Sequence, residues 1–432
     1  MSPSSPALEL SERALARAAL TYLAEPADPA LGALLGICAP EEVLAAIKAD
    51  MLPGTGPGCG DSPASRAALG RALGRWRIRL PALPGAADIA GACRDGIRLV
   101  GPEDPEWPAG LDQLGQGRPY ALWLRGNANL RSGSEHSVSV VGSRAATGYG
   151  AHVAGEIAAD LGEQGWTVVS GGAYGIDAAA HRGALATQAV TIAVLACGVN
   201  FPYPAGHADL FADIAAHGLV VSEWPPGRHP ARMRFLIRNR VIAALSCGTV
   251  IVEAGERSGA LNTARHAADL GKPLMAVPGP VTSAQSAGCH RIIREWGASC
   301  VTRAADIIEL LSPMSAADAP APAGAPVRAP GPAPVPLPAP ARAPAPVLAP
   351  ALVPAPGPGR PAWDPGLPYD DLDADSTRVL DALPARGSAG TSTIAVNAGV
   401  DVDTVLRCLG VLAGLGFIER GDGGWRLRRP GR

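Results

Sequence analysis

Between residues 137 and 310, short apolar runs recur, each followed by an Ala-rich stretch with helical spacing. The runs cover 138–141, 167–170, 191–195, 219–222, 249–252, 274–277 and 299–301. A strand that is apolar on both sides must be covered on both faces. Such strands alternating with helices predict an α/β fold, a doubly wound, mostly parallel Rossmann-like sheet. Aromatic residues make up only 4% of the chain, so Ala, Val and Leu must fill the core.

Two smaller units flank the sheet. Residues 1–85 read as a helical N-terminal module: Leu8, Leu15, Ala19 and Tyr22 fall at helical spacing, and Pro40-Glu41-Glu42 opens a further helix with its acids in the first turn. A Gly/Pro-rich insert at 52–62 interrupts it. The sheet domain itself is expected over 95–312. From 320 to 361, 16 of 42 residues are proline, and only Arg328, Arg342 and Arg360 carry charge. Proline fixes φ and removes a donor, so the linker 313–370 is expected to hold a polyproline-II spacer, at most about 130 Å long at roughly 3.1 Å per residue. Residues 371–432 then suggest a winged helix: helices at 376–383, 391–398 and 402–415, with Gly399 in a turn and a hairpin folded around Gly421-Asp422-Gly423-Gly424. Only Arg407 is basic within its third helix before 409. Charge sits in the hairpin, at Arg420, Arg426, Arg428 and Arg429, which favours backbone contact or protein interaction over reading of base edges.

No charge-free run approaches the about 18 apolar residues that a membrane helix needs. The first residues, Met1-Ser2-Pro3-Ser4-Ser5, lack the basic start and apolar continuation of a secretory leader. Eight cysteines, at 38, 59, 93, 197, 247, 289, 300 and 408, are scattered singly without a CxxC pair, so neither a metal site nor a disulfide framework is indicated. A reduced, cytoplasmic protein without a cofactor is expected. Against 39 acids stand 37 Lys and Arg, so any affinity for a polyanion must come from a local patch.

In an open α/β sheet, ligands bind beyond the carboxyl ends of the strands, where helix N-termini attract anions. Four loops qualify. Gly142-Ser143-Arg144 offers close approach, a hydroxyl and a two-pronged guanidinium. It is not GxGxxG, and the chain has no GxxxxGK[ST] segment, so P-loop hydrolysis is excluded. Ser170-Gly171-Gly172-Ala173-Tyr174-Gly175-Ile176-Asp177 exposes backbone amides suited to a phosphate. Asp177 reads as a helix N-cap rather than a catalyst, and His181 as a structural partner. Between Glu223 and Glu253 there is no acid, yet Arg228, Arg232, Arg234, Arg238 and Arg240 surround Phe235. Guanidiniums that neutralise phosphates beside a ring that stacks on a base suit single-stranded nucleic acid, with an affinity falling steeply with salt. A solvated arginine loop with Phe235 in the core fits the composition equally well. In the fourth loop a strand ends at Glu253, and Ser258 caps a helix beginning near Gly259.

Together and in this order, these segments resemble the DNA-processing protein A (DprA/Smf) family. Tyr203-Pro204, Ser222-Glu223, the run Phe235-Leu236-Ile237-Arg238-Asn239-Arg240, Val252-Glu253-Ala254, Ser258-Gly259-Ala260-Leu261, Val277-Pro278-Gly279, Gly288 and Gly297-Ala298 match as well. Upstream, Asp104-Pro105-Glu106-Trp107-Pro108 and Leu122-Trp123-Leu124-Arg125-Gly126 are similar to that family's lead-in to the sheet. The resemblance implies a homodimeric, non-enzymatic protein that binds and protects incoming single-stranded DNA in natural transformation and helps load the RecA recombinase. It places Ser143, Arg144, Gly171, Gly172, Arg232, Phe235, Arg238, Asn239, Arg240, Ser258 and Gly259 in or beside the DNA groove. Tyr174 stands where many relatives carry Lys or Arg, and His290 where Asn is frequent. Two other functions remain in view. One is a Rossmann-like nucleotide phosphoribohydrolase with Glu253 as its glutamate, and the other is a winged-helix transcriptional regulator.

Overall fold

A computed structural model describes residues 10–51, 63–93, 96–312, 372–384, 387–421 and 423–428. The Gly/Pro-rich insert at 52–62 and the expected proline spacer lie outside the described residues. The centre is a nine-stranded sheet of β1 (Ile97–Val100), β2 (Leu122–Arg125), β3 (Ser137–Val141), β4 (Thr167–Ser170), β5 (Thr191–Leu195), β6 (Leu219–Ser222), β7 (Gly248–Ile251), β8 (Leu274–Ala276) and β9 (Ser299–Cys300). Its spatial order is β1-β2-β6-β5-β4-β3-β7-β8-β9. From β6 through β9 every neighbouring pair is parallel. All seven apolar runs are strands, and the α/β expectation holds.

The sequence pattern did not mark β1 and β2, which extend the sheet antiparallel through Trp123↔Ser222. Their 122–126 segment was expected only as a lead-in. They are strands because the N-terminal module roofs one face: the Trp123 indole meets the Tyr22 ring edge-on at 6.4 Å and donates to Thr21 Oγ1 at 3.2 Å. At four residues each, with Arg98 and Arg125 within them, these strands carry too short an apolar run to recognise.

Helices cover the parallel sheet on both faces. On one, Gly148–Glu163, Ile176–Ala186 and Ala304–Leu311 pack Ala154, Ile157, Leu161, Ala180 and Ile307 against Val138, Val140, Val168 and Val250. On the other, Arg232–Leu245, Ala260–Asp269 and Ala287–Glu295 pack Val241, Ile242, Ala264 and Ile292 against Val141, Val169, Val194 and Ile251. Each buried Val or Ile contributes about 1.5–3 kcal/mol. Ser139, within β3, donates to Ile242 O at 2.9 Å, so its hydroxyl is satisfied inside the core.

The N-terminal helices Glu12–Leu23, Pro29–Leu35, Pro40–Ala49 and Pro63–Ile78 close around Leu20, Leu31, Val43, Ile47 and Trp76. The first starts later than the sequence run suggests, because Ser11 caps it by accepting from Ala14 N. At the other end, the helices Ala374–Asp381, Thr391–Ala398 and Val402–Gly414 precede an antiparallel pair, β10 (Ile418–Gly421) and β11 (Gly424–Leu427). Two contacts tie these helices to the rest. Arg79 donates to Val396 O at 3.2 Å and Asn397 O at 2.9 Å, closing the end of Thr391–Ala398. Asp381 accepts from the backbone of Met233, at the start of a helix whose N-cap residue, Ala231, offers no side-chain acceptor.

Candidate nucleic-acid interface

Because β3 to β9 run parallel, the loops that leave their carboxyl ends share one edge. The order reverses at β3, with β4, β5 and β6 on one side and β7, β8 and β9 on the other. Such a switch point opens a crevice between neighbouring loops. Here the loops after β3 and β7 are laced together, since Ser143 N donates to Glu253 O at 2.7 Å. The Glu253 carboxylate, itself buried, accepts from Thr147 N at 2.9 Å and Thr147 Oγ1 at 2.6 Å. Glu253 thereby fixes the start of the helix Gly148–Glu163, and both of its oxygens are engaged. That is a structural use of the glutamate, and it gives the phosphoribohydrolase reading no base aimed at a substrate. The Ser143 hydroxyl accepts from Ala145 N at 3.2 Å and shapes the turn. Arg144 points outward and lays its guanidinium carbon 4.8 Å from the centre of the Phe235 ring.

Beneath this pair runs the glycine-rich loop after β4. Gly172 at φ +67° and Gly175 at φ +78° adopt left-handed backbone that a side chain would strain. Gly175 also lets two loops touch, because a Cβ there would strike the Ser143 and Arg144 carbonyls. Asp177 lies in the first helical turn, while the N-cap position belongs to Gly175. It braces the loop by accepting from Ala173 N at 3.3 Å, which corrects its expected role as the cap residue. Burial pushes its carboxyl above the usual range, and the Arg238 guanidinium works against that. His181 is enclosed, with Nδ1 2.7 Å from Thr191 Oγ1. Burial lowers its pKa to about 3, so the ring stays neutral.

The arginines are used differently from what composition suggests. Arg228 donates to Tyr22 O at 2.7 Å. Arg234 grips Glu25 at 3.1 and 2.7 Å. Arg238, only 4% exposed, donates to Gly171 O at 2.8 Å and also to Val194 O. Arg240 turns to the buried Glu223 at 2.5 and 2.6 Å and to Gly117 O at 3.0 Å, away from the glycine loops. Burial lowers the pKa of Arg228 and Arg238 to about 10, which still leaves both cationic at neutral pH. These four guanidiniums therefore meet protein acceptors where the sequence set them against phosphates. The reason is spatial: their acceptors come from distant segments. Arg232, on the first turn of its helix, is exposed.

Of the residues selected from sequence, the structure gathers Arg144, Phe235, Gly171, Gly172 and Arg238 at one place. Asn239 joins the loop after β7 by donating to Asn262 Oδ1 at 3.2 Å and Gly259 O at 3.4 Å. There the Ser258 hydroxyl accepts from Ala260 N at 3.4 Å, and exposed Gly259 occupies the N-cap position of Ala260–Asp269. Two aromatic neighbours were not selected. Tyr203 lies 5.7 Å from Phe235 between ring centres, and Tyr174 lies 4.5 Å from His207. In the sequence Tyr203 showed only as part of the Tyr203-Pro204 pair, and Tyr174 only as a departure within the glycine loop.

The family described as DNA recombination-mediator protein A matches residues 98–312, which takes in every loop of this edge. A protein assigned as DNA processing protein DprA in Mycobacterium tuberculosis (strain H37Rv) is 42% identical over 358 residues, covering 80% of this chain and 81% of the relative. This chain belongs to the DprA/Smf family. DprA of Bacillus subtilis is 31% identical over 245 residues, covering 57% of this chain and 80% of the relative. The X-ray structure of DprA from Streptococcus pneumoniae superposes with a TM-score of 0.56 at 29% identity, covering 71% of this chain and 99% of that one. The DprA match ends at Ser312, where the last helix of the sheet domain closes, and leaves the three C-terminal helices and their hairpin outside it.

Proposed function

We propose that this DprA/Smf protein binds single-stranded DNA along the edge formed by the loops after β3, β4, β5 and β6, shields it, and helps load RecA onto it. We infer that it acts in the cytoplasm as a homodimer. The observation that carries this reading is the Arg144–Phe235 pair: an exposed cation 4.8 Å above a half-buried ring, beside a glycine loop held open by Arg238. An unpaired strand offers both partners such a site needs, a phosphate for the guanidinium and a base face for the ring. Duplex DNA hides its base faces. Of the arginines placed in the groove from sequence, Arg144 and Arg232 are exposed, while Arg238 and Arg240 are buried. With most of these guanidiniums turned to protein acceptors, the salt dependence is shallow, at roughly −0.7 in log K against log salt for each phosphate contact.

Anisotropy of labelled oligo-dT and of a duplex of equal length, over a salt series, tests the assignment. The single strand binds more tightly, Arg144→Ala reduces the slope by about 0.7, and Phe235→Ala weakens binding by about 1–3 kcal/mol at unchanged slope. Equal affinity for duplex, or wild-type binding in both variants, refutes the site. RecA loading is read separately, as RecA ATPase activity on DNA precoated with a single-strand-binding protein. It should rise with this protein and fail to rise with Phe235→Ala.

A further inference from the structure

Large aromatic side chains are costly to leave in water and usually sit inside. Yet on the edge just described Tyr203 is 39% exposed and Tyr174 is 50% exposed. They reach it from different loops, Tyr174 after β4 and Tyr203 after β5, while Phe235 stands on the helix that follows β6. These three strands are immediate neighbours in the sheet. The segment from Tyr203 to His207 links the rings: Tyr203 is tilted 53° against Phe235, Tyr174 meets His207 edge-on, and a Cβ on Gly206 would strike the Tyr174 hydroxyl. His207 Nδ1 in turn lies 3.1 Å from Gly172 O, so the rings stand on the same glycine loop that Arg238 supports.

We propose that Tyr203 is a second base-stacking platform of this edge and Tyr174 a third, so that a single strand meets aromatic rings at successive nucleotides rather than at Phe235 alone. The proposal rests on the single-stranded DNA reading above and assigns two residues that the reading does not need. The Tyr203–Phe235 geometry excludes the simplest alternative, one base clamped between the two rings. A sandwich needs two parallel rings roughly 7 Å apart or more, twice the about 3.5 Å contact between stacked carbons, and these are tilted by 53° with centroids at 5.7 Å. Each ring must therefore offer its outer face to a different base. On Phe235 the Arg144 guanidinium also lies over the ring. The base that stacks there takes the guanidinium's place and leaves it to a phosphate, whereas Tyr203 needs no such exchange.

The experiment uses the full chain with Tyr203→Ala, Tyr203→Phe, Tyr174→Ala, Phe235→Ala and Arg144→Ala. The probes are oligo-dT and an oligonucleotide carrying 2-aminopurine, whose fluorescence is quenched on stacking. Tyr203→Ala weakens binding about tenfold, keeps the salt slope, and relieves part of the quenching. Tyr203→Phe binds like wild type, and Tyr174→Ala weakens binding several-fold, also at constant slope. A purely structural role for Tyr203 would lower the melting midpoint of Tyr203→Ala and leave the quenching of DNA bound at saturation untouched. That result overturns the proposal. So does wild-type affinity in both tyrosine variants while Phe235→Ala loses binding, and in that case the single-strand reading survives. Wild-type affinity in Phe235→Ala and Arg144→Ala as well defeats the reading itself.

Discussion

Replacing Arg238 by methionine separates a phosphate ligand from a structural arginine. Methionine keeps most of the stem volume but offers no donor to Gly171 O, 2.8 Å from the guanidinium, or to Val194 O. Each buried carbonyl left without its donor costs about 1–3 kcal/mol. Asp177 also loses its compensating cation. Since burial already raises its pKa, it takes up a proton more readily once Arg238 is gone, which weakens its hold on Ala173 N. Against these losses stands the relief of burying a guanidinium whose Nε has no partner. The balance is a destabilisation of about 3 kcal/mol, a large part of the roughly 5–15 kcal/mol that holds a typical domain. Urea melts of wild type and Arg238→Met measure it. Oligo-dT titrations at several salt concentrations, at a temperature where both are folded, then ask what remains. The expected result is a lower midpoint with the salt slope unchanged, whereas Arg144→Ala keeps the midpoint and loses slope. A fully stable Arg238→Met protein with a slope reduced by about 0.7 would show that Arg238 reaches the phosphates and that its inward geometry does not govern binding.

Three further outcomes follow from groups the DNA does not touch. His181 has a folded pKa of about 3 against an ordinary 6.5, so its contribution is complete above 6.5 and is lost as pH falls toward 3. In that window stability drops by up to about 1.4 kcal/mol per pH unit. Urea midpoints should fall between pH 7 and pH 5, and His181→Gln should flatten the fall; an equal slope in the variant contradicts the assignment. Glu253→Ala removes both acceptors of Thr147 and should cost about 1–3 kcal/mol in thermal or urea melts, while adenine release from AMP stays at the buffer level with and without the glutamate. Measurable release abolished by Glu253→Gln would restore the hydrolase reading. Arg79→Ala strips the donors from Val396 O and Asn397 O, so amides of the helix Thr391–Ala398 should exchange faster with deuterium; unchanged exchange there would mean that Arg79 does not secure that helix.

The parallel sheet was legible because burial on both faces leaves a continuous apolar signature, which the runs at 138–141 and 191–195 display without interruption. The antiparallel strands β1 and β2 were not, since the tryptophan of Leu122–Arg125 is buried by a module lying a hundred residues upstream while the leucines join the core on the other face. The glycine loops could be placed at strand ends because a parallel sheet puts every such end on one edge. What their glycines contact could not be placed, and neither could Asp177, whose N-cap position goes to the glycine two residues before it. Tyr203 showed only as half of a Tyr-Pro pair, because exposure belongs to the fold and not to residue type.

The arginine segment shows where composition misleads. Five cations and no acids between Glu223 and Glu253 read as an unpaired basic patch, yet the acceptors are simply elsewhere along the chain. Glu25 receives Arg234 and the Trp224 indole and pairs with Arg79, and these guanidiniums hold its carboxyl well below the usual range. Glu223 closes on Arg240 in a buried pair. Buried pairs of this kind hold geometry more than they add stability, and breaking one partner is expensive. The segment's charge thus goes largely into seating the helix Arg232–Leu245 between the N-terminal module and the glycine loop, which sets the height of Phe235 above the edge. A groove built this way has few outward cations and several rings. On the single-strand reading proposed above, selectivity comes from base stacking, and added salt should weaken binding far less than a five-arginine patch would require.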